Sequence, residues 1–444
     1  RYLVRLVRKL IPDPRRVLEV GCGDGELLSA LNAKRAVGLD LSLRMVEAAR
    51  RRHPELDVRQ ADAETFASEE LFDTVVMVNL IGLVDDVYAT FQQARDVLGP
   101  HGRLVVVYYN YLWEPVLRLA SLLGWRAKVP DENWLPLSEV ENLLNLTGYQ
   151  VVRSGRRMLC PVGIPLVSWL CNTVLAPLPI IQRFCLIEYV VARPVARGTA
   201  DPGGNLTCSV IIPTKDERGN VEDAVRRTPD LGAHTELIFV DGNSTDGTVE
   251  EIQRVIRETP ERDIKFLSQG DGRGKADAVR KGFDRATGDV LTILDSDLTM
   301  PPEDLPKYVD VIASGQAEFV NGCRLVYPMD KEAMRFLNKI ANHLFGVLFS
   351  WLMEQRVRDT LCGTKVLRKA DYEAIARNRA YFGEFDPFGD FDLLFGAARL
   401  NLKIVDLPIR YRERTYGEIK ISRFRHGWLL LKMSAFAARK LKFS

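Results

Sequence analysis

A break in the hydrophobic pattern near the middle of the chain limits its fold more than any other feature. Across 192–205, Pro194, Gly198, Pro202, Gly203 and Gly204 replace any apolar period, which is the composition of a linker. On both sides short apolar runs alternate with longer helical patterns, the rhythm of α/β domains with mainly parallel sheets. The expectation is a first domain over 1–195, a linker over 196–206 and a second domain over 207–444. No internal repeat relates the halves, because the turn after the first apolar run is glycine-rich in one and Lys-Asp-Glu in the other. Two different chemistries are expected.

Composition removes several classes. With 46% hydrophobic and 27% charged residues the chain is neither disordered nor a small disulfide scaffold. A net charge of +2 supplies no field for nucleic acid, so no nucleic-acid partner is expected. The seven scattered cysteines form no C-x-x-C pair, which suits free thiols in a reducing, cytoplasmic setting. The sequence begins at Arg1 with no positive-then-apolar leader, so a signal peptide is not expected.

In the first half, Arg16 to Val20 reads as a strand running into Gly21-Cys22-Gly23-Asp24-Gly25, with a helix from Glu26 to Leu31. Such glycines allow a tight turn and close approach of a cofactor to backbone amides. A second strand ends at Asp40, about twenty residues on, where a carboxylate can accept ribose hydroxyls. Asp62 closes a third. A dinucleotide-binding dehydrogenase would use the same glycines, but no substrate-domain histidine or lysine pattern follows. Asn79 and Tyr108 to Tyr111 sit at the carboxyl ends of further strands.

These segments, with Phe72-Asp73-Thr74-Val75-Val76 and the run from Val97 to Leu104, resemble class I S-adenosylmethionine-dependent methyltransferases. The resemblance implies a Rossmann-like sheet with S-adenosylmethionine as cofactor. Glu19, Gly21 and Gly23 would border its amino-acid part, Asp40 its ribose and Asp62 its adenine.

In the second half, Ser209 to Pro213 is a short buried strand followed by Thr214-Lys215-Asp216-Glu217, and Leu237 to Val240 is a second one ending at Asp241. Carboxylates at the ends of adjacent parallel strands face one crevice. Residues 270–275 form a loop of glycines and cations suited to phosphate, before a helix over 276–287. Val290 to Leu294 then runs into Asp295-Ser296-Asp297. In extended chain, residues two apart face one side, so Asp295 and Asp297 should converge while Ser296 points away. Two convergent carboxylates suit a hard divalent ion, Mg or Mn, shared with a diphosphate.

Together these segments resemble family 2 glycosyltransferases of the GT-A type over nearly all of 207–425, most closely the polyprenyl-phosphate (dolichol-phosphate) sugar synthases. The other carriers are Asn321-Gly322-Cys323-Arg324, the run from Asp359 to Lys365, and that from Arg414 to Lys420. Asp216 stands where Asn is usual, Gly242 where a second Asp is common, Thr299 for a frequent Gln, and Ile419 for Ser or Thr. The resemblance implies inverting transfer from a nucleotide-sugar donor to a polyprenyl-phosphate or glycolipid acceptor. Pro213, Glu217 and Asp241 would line the nucleotide-sugar site, while Asp295 and Asp297 would hold the metal. Arg324, Arg414 and Lys420 would meet the diphosphate, and Asp390 would stand where many relatives place the acceptor's base. The alternative is transfer to a sugar or small-molecule hydroxyl, with the first half an inactive docking module.

Three segments raise peripheral membrane contact. From Met158 to Gln182 there is no charge, but Pro161, Pro165, Pro177 and Pro179 would break a spanning helix, so a buried cap is expected ahead of a membrane-resting surface. Phe345, Leu348, Phe349 and Leu352 recur at helical spacing and could lie in an interface. From Arg410 to Ser444 ten Lys or Arg face two acidic residues among Trp428, Leu429 and Phe436, a tail able to lie on anionic headgroups at the cytoplasmic face.

Overall fold

The computed structural model describes residues 2–127, 132–195, 205–272, 274–325, 336–379, 390–412, 414, 416 and 423–443, with side chains for all of these except 336–341, 390 and 423–430. They form two compact units whose main bodies are Arg1–Ala196 and Arg197–Lys442. Linker residues 196–204 lie outside the described residues. All seven cysteines are free thiols.

The first unit is built on seven strands: β1 (Arg16–Val20), β2 (Arg35–Asp40), β3 (Asp57–Gln60), β4 (Phe72–Val78), β5 (Leu98–Tyr109), β6 (Tyr149–Arg157) and β7 (Ile187–Pro194). Their order is β3-β2-β1-β4-β5-β7-β6. The first five are parallel, and β7 runs antiparallel to both β5 and β6. Parallel strands are covered on both faces, which is why Val17, Leu18 and Val20 are all buried on consecutive sides of β1.

The second unit repeats the count with a different order. Its strands are β8 (Thr207–Thr214), β9 (His234–Asp241), β10 (Asp263–Ser268), β11 (Val290–Ile293), β12 (Phe319–Cys323), β13 (Lys365–Arg368) and β14 (Ile404–Pro408). The order is β10-β9-β8-β11-β13-β12-β14, parallel from β10 to β11, with β13 antiparallel to both neighbours. The helix Gly274–Arg285 lies close on β8 because Gly282 has no Cβ; one there would come within 2.5 Å of Ile211.

Three expectations about apolar segments change. The stripe on Phe336–Met353 is core: Phe349 is fully buried and stacks on Phe395 with ring centroids 4.9 Å apart. On the C-terminal helix Arg423–Leu441, Met433 and Ala437 pack into the same core, and the buried Lys442 pairs with Glu354 at 2.5 Å. That half of the tail is held by the protein, while the side chains of Trp428 and Leu429 lie outside the described residues. The run 158–182 is not a buried cap. Its prolines divide it into a short helix (Pro165–Trp169), a wide turn (Leu170–Leu175) and further turns, and most of its large apolar side chains face solvent. No described helix is long and apolar enough to cross a membrane.

Candidate active sites

In the first unit the ends of β1 and β2 meet the glycine turn. Gly21 and Cys22 donate their N–H groups to the Leu39 carbonyl at 2.7 and 2.9 Å, so the turn is clamped to β2. Gly23 has φ +54 and a Cβ there would meet nothing within 4 Å, leaving open space over its backbone. Its N–H donates to Asp40 Oδ2 at 2.8 Å, while Ser42 N–H donates to Oδ1 at 2.9 Å. The carboxylate of Asp40 is thus aimed by two neutral amides and keeps lone pairs for another donor. Glu19 is buried beneath the turn. Burial, then Asp40 and Asp24, push its pKa up to about 8, and its Oε2 has no hydrogen-bond partner among the described residues. A buried carboxyl oxygen without a partner is the kind of group a ligand completes. Asp62 lies two residues beyond β3, exposed, with Oδ1 accepting from Glu64 N–H at 2.9 Å. A shallow cleft lies beside the ends of β4 and β5, lined in part by Asn79, Tyr108, Tyr109, Glu132 and Trp134.

In the second unit β8, β9, β11, the start of the antiparallel β13 and the end of β12 bring their functional residues to one edge. Thr214 pairs with Asp241 in register, and Gly242 N–H donates to the Thr214 carbonyl at 2.8 Å. Pro213 lies within β8, and its carbonyl accepts from Ser296 Oγ at 3.0 Å. Asp241 is buried and accepts from Ser244 N–H at 3.1 Å and Ser244 Oγ at 2.5 Å.

The Asp-Ser-Asp segment departs from the extended geometry expected of it. Strand β11 stops at Ile293, and Leu298 N–H donates to the Asp295 carbonyl at 3.0 Å, closing a turn. The turn directs each acid to its own cation: Asp295 pairs with Lys275 at 2.5 Å and Asp297 with Arg414 at 2.7 Å. Asp297 also accepts from Thr299 Oγ1 at 2.9 Å, and Arg414 reaches Glu217 at 3.1 Å. Burial alone would raise the pKa of Asp295, but Lys275, Lys365 and Arg324 together hold it below the usual carboxylate range. Both acids raise the pKa of Tyr411, after burial, and so share its neighbourhood.

Arg324 is anchored from behind. It donates to Asp359 through its backbone N–H at 2.9 Å, Nε at 2.8 Å and an η nitrogen at 2.9 Å, and its guanidinium lies 5.3 Å from the Tyr411 ring centroid. Asp359 is fully buried; although burial opposes ionisation, Arg324 and Asn342 hold its pKa down to about 2. The backbone of Gly363 lies against the Asp295–Lys275 pair, since a Cβ would fall 2.2 Å from Asp295 Oδ2 and 2.3 Å from Lys275 Nζ.

Lys275, Lys365, Asp359 and Tyr411 belong to this cluster, and the motifs did not single them out individually. The run from Asp359 to Lys365 was the available signal, because it places an acid, a glycine and a lysine on one strand approach. Lys420 lies outside the described residues. Asp390 opens the helix Asp390–Arg399, and its side chain also lies outside them. Among the described residues no cluster of three or more His, Cys, Asp or Glu forms a metal cage. What the edge offers is two carboxylates among cations, suited to a diphosphate with its counter-ion.

A family model described as glycosyl transferase family 2 matches residues 209–380, and one described as a methyltransferase domain matches residues 1–154. The dolichol-phosphate mannosyltransferase of Pyrococcus furiosus is 30% identical over 249 residues, covering 53% of this chain and 67% of that protein. The chain belongs to glycosyl transferase family 2. Ahead of that domain it carries a methyltransferase domain. The glycosyltransferase domain is also similar to the dolichol-phosphate mannosyltransferase of Saccharomyces cerevisiae, 38% identical over 104 residues, 22% of this chain and 38% of that one. The undecaprenyl-phosphate 4-deoxy-4-formamido-L-arabinose transferase of Sodalis glossinidius is 24% identical over 220 residues, 48% of this chain and 62% of that one. For the methyltransferase domain, a solved methyltransferase from Mesorhizobium loti aligns with 43% of this chain and 96% of its own at 19% identity and a TM-score of 0.34.

Proposed function

We propose that the glycosyltransferase domain moves a hexosyl group, with inversion, from a nucleoside-diphosphate sugar to a polyprenyl phosphate or related lipid acceptor at the cytoplasmic membrane face. The observation that carries this reading is the Asp295–Asp297 turn with Lys275, Arg324 and Arg414 around it. Glu217, three residues beyond β8, and Asp241, the last residue of β9, would hold the nucleoside, with Pro213 and Lys420 beside them. A divalent ion, Mg or Mn, fits a donor set of two hard carboxylate oxygens, because such ions take their remaining ligands from water and phosphate. When bound by Asp295 and Asp297 it would neutralise charge growing on the leaving diphosphate. Lys275 and Arg414 would then turn from the acids to the phosphates, and Arg324, held by Asp359, would supply a fixed positive charge.

A lipid phosphate is already anionic at neutral pH, so it needs no strong base, and Asp390 would orient it. The names of the Pyrococcus and Sodalis relatives support a polyprenyl-phosphate acceptor. The methyltransferase domain would bind S-adenosylmethionine through Glu19, Gly21, Gly23, Asp40 and Asp62. The unpartnered Glu19 oxygen and the open space over Gly23 fit its cationic amino-acid end.

The test is donor turnover across a panel of nucleotide sugars with a short-chain polyprenyl phosphate, with and without chelator. Metal-dependent transfer to the phosphate is expected. Efficient transfer to a water-soluble hydroxyl with none to the phosphate would overturn the lipid reading.

A further inference from the structure

The methyltransferase domain exposes an apolar surface that its chemistry does not require. After β5 the chain forms the helix Glu114–Leu122, and between β6 and β7 it forms the charge-free run 158–182; neither Glu114–Leu122 nor Pro165–Trp169 buries a single residue. Leu122 and Trp125 are 76% and 82% exposed, and Leu166, Trp169 and Ile180 are 77%, 57% and 77% exposed. The two segments are joined at their bases: Trp113 Nε1 donates to the Phe184 carbonyl at 2.8 Å, and Asn110 Nδ2 donates to the Arg183 and Cys185 carbonyls at 3.0 and 2.9 Å. They therefore form one surface.

Its place in the domain follows from strand direction. β5 ends at Tyr109, β6 ends at Arg157 and β7 begins at Ile187, all in register with one another. Because β5 is parallel to β4, this is the carboxyl edge, where the glycine turn and Asp40 also lie. The residue after Trp125, Arg126, stacks 5.4 Å from the Tyr109 ring and pairs with Glu132 at 2.7 Å, and both partners line the cleft. The apolar helix thus ends at the cleft's rim.

The chemistry around the surface selects its occupant. Soluble proteins rarely leave so large an apolar patch open. Two tryptophans, no charge across 158–182, and cations at its base form the pattern of a segment resting at a lipid interface. The cations are Arg5 and Lys9 of the helix Tyr2–Leu10, whose Tyr2 packs in one cluster with Met158, and Arg157. Burial first, then Arg157 and Arg5, lower the pKa of Lys9, so the three positive groups crowd one another beside the apolar run. Anionic headgroups would relieve that repulsion.

We propose that the methyltransferase domain docks on an anionic lipid bilayer through this surface, with the apolar side chains of 111–125 and 161–184 at the acyl boundary and Arg5, Lys9 and Arg157 at the headgroups. The prolines keep the run from spanning, so the contact is peripheral. It sets the rim of the cleft against the lipid.

The experiment is flotation of the full chain with vesicles of phosphatidylcholine plus phosphatidylglycerol, compared with phosphatidylcholine alone. Leu122→Glu/Leu166→Glu/Trp169→Glu should lower bound protein about tenfold or more, and Arg5→Gln/Lys9→Gln should weaken binding to the anionic vesicles only. Independently of any folding defect in these variants, brominated acyl chains should quench wild-type tryptophan fluorescence, and Trp125→Phe/Trp169→Phe should remove most of that quenching. Wild-type protein that stays with the lipid-free fraction overturns the proposal. So does a folded triple variant that floats like wild type, or a sharp fall in its thermal midpoint, which would mean that protein covers the surface. None of these readouts uses sugar transfer, so failure of the glycosyl reading leaves the proposal standing.

Discussion

In the methyltransferase domain the key carboxylate is aimed by backbone; in the glycosyltransferase domain the key carboxylates are aimed by opposite charge. Asp40 accepts two neutral N–H bonds, from Gly23 and Ser42, and its negative charge is left for a ligand. Asp295 and Asp297 are each paired with a cation, Lys275 or Arg414, that itself suits a phosphate. The first arrangement is ready before its ligand arrives. The second must exchange partners, so a charged donor with its counter-ion can replace the pairs without leaving bare charge behind. One fold class supports both because the carboxyl edge of a sheet collects loop residues whatever the sequence between strands.

The sharpest way to break the comparison is to remove a buried charge where charge does the positioning. Asp359→Ala leaves Arg324 without its carboxylate and should cost the glycosyltransferase domain about 3–5 kcal/mol in chemical denaturation. The pH dependence is specific. Because the pKa of Asp359 in the fold is depressed to about 2, its contribution is complete above the ordinary aspartate range and is lost as pH falls through that range toward 2. Wild type and Asp359→Asn should therefore differ in stability at neutral pH and converge in strong acid.

Next in size, Asp297→Ala should reduce sugar transfer by about 100- to 1000-fold, the scale of one lost charge-stabilising group. S-adenosylmethionine binding by calorimetry should be unchanged, and loss of both activities would mean unfolding. Asp40→Ala should weaken S-adenosylmethionine by about 1.5–3 kcal/mol with sugar transfer intact. Unchanged affinity would remove Asp40 from the site.

The smallest effect is a pH profile. Since the pKa of Glu19 is raised to about 8, the folded domain keeps a proton that the unfolded chain has released above the ordinary glutamate range. Stability should fall as pH rises across that window, while affinity for the cationic cofactor should rise toward pH 8. Glu19→Gln should flatten both curves.

Much of the site was legible because it is local. Arg16–Val20 and Glu26–Leu31 have the bounds their periodicity indicates, and Asp40 and Asp241 close strands as read, while Asp295 follows β11 by two residues. Distant partners decide the rest. At Asp295 and Asp297 they add what no local pattern carries, a turn and a cation for each acid from 20 and 117 residues away. Phe349 reads as an interface stripe until Phe391 and Phe395 cover it, and 158–182 reads as a cap although most of its large apolar side chains are exposed.

By itself the sequence determined two α/β halves, the glycine turn with its acid, and the strand-end carboxylates, because each depends on backbone sterics and alternation over a few residues. Only the tertiary structure decided which cation each carboxylate meets, why Gly363 must be a glycine against Asp295 and Lys275, and which apolar runs are core and which are surface. Those depend on contacts across long loops, where charge, burial and close approach act through space and leave no period along the chain.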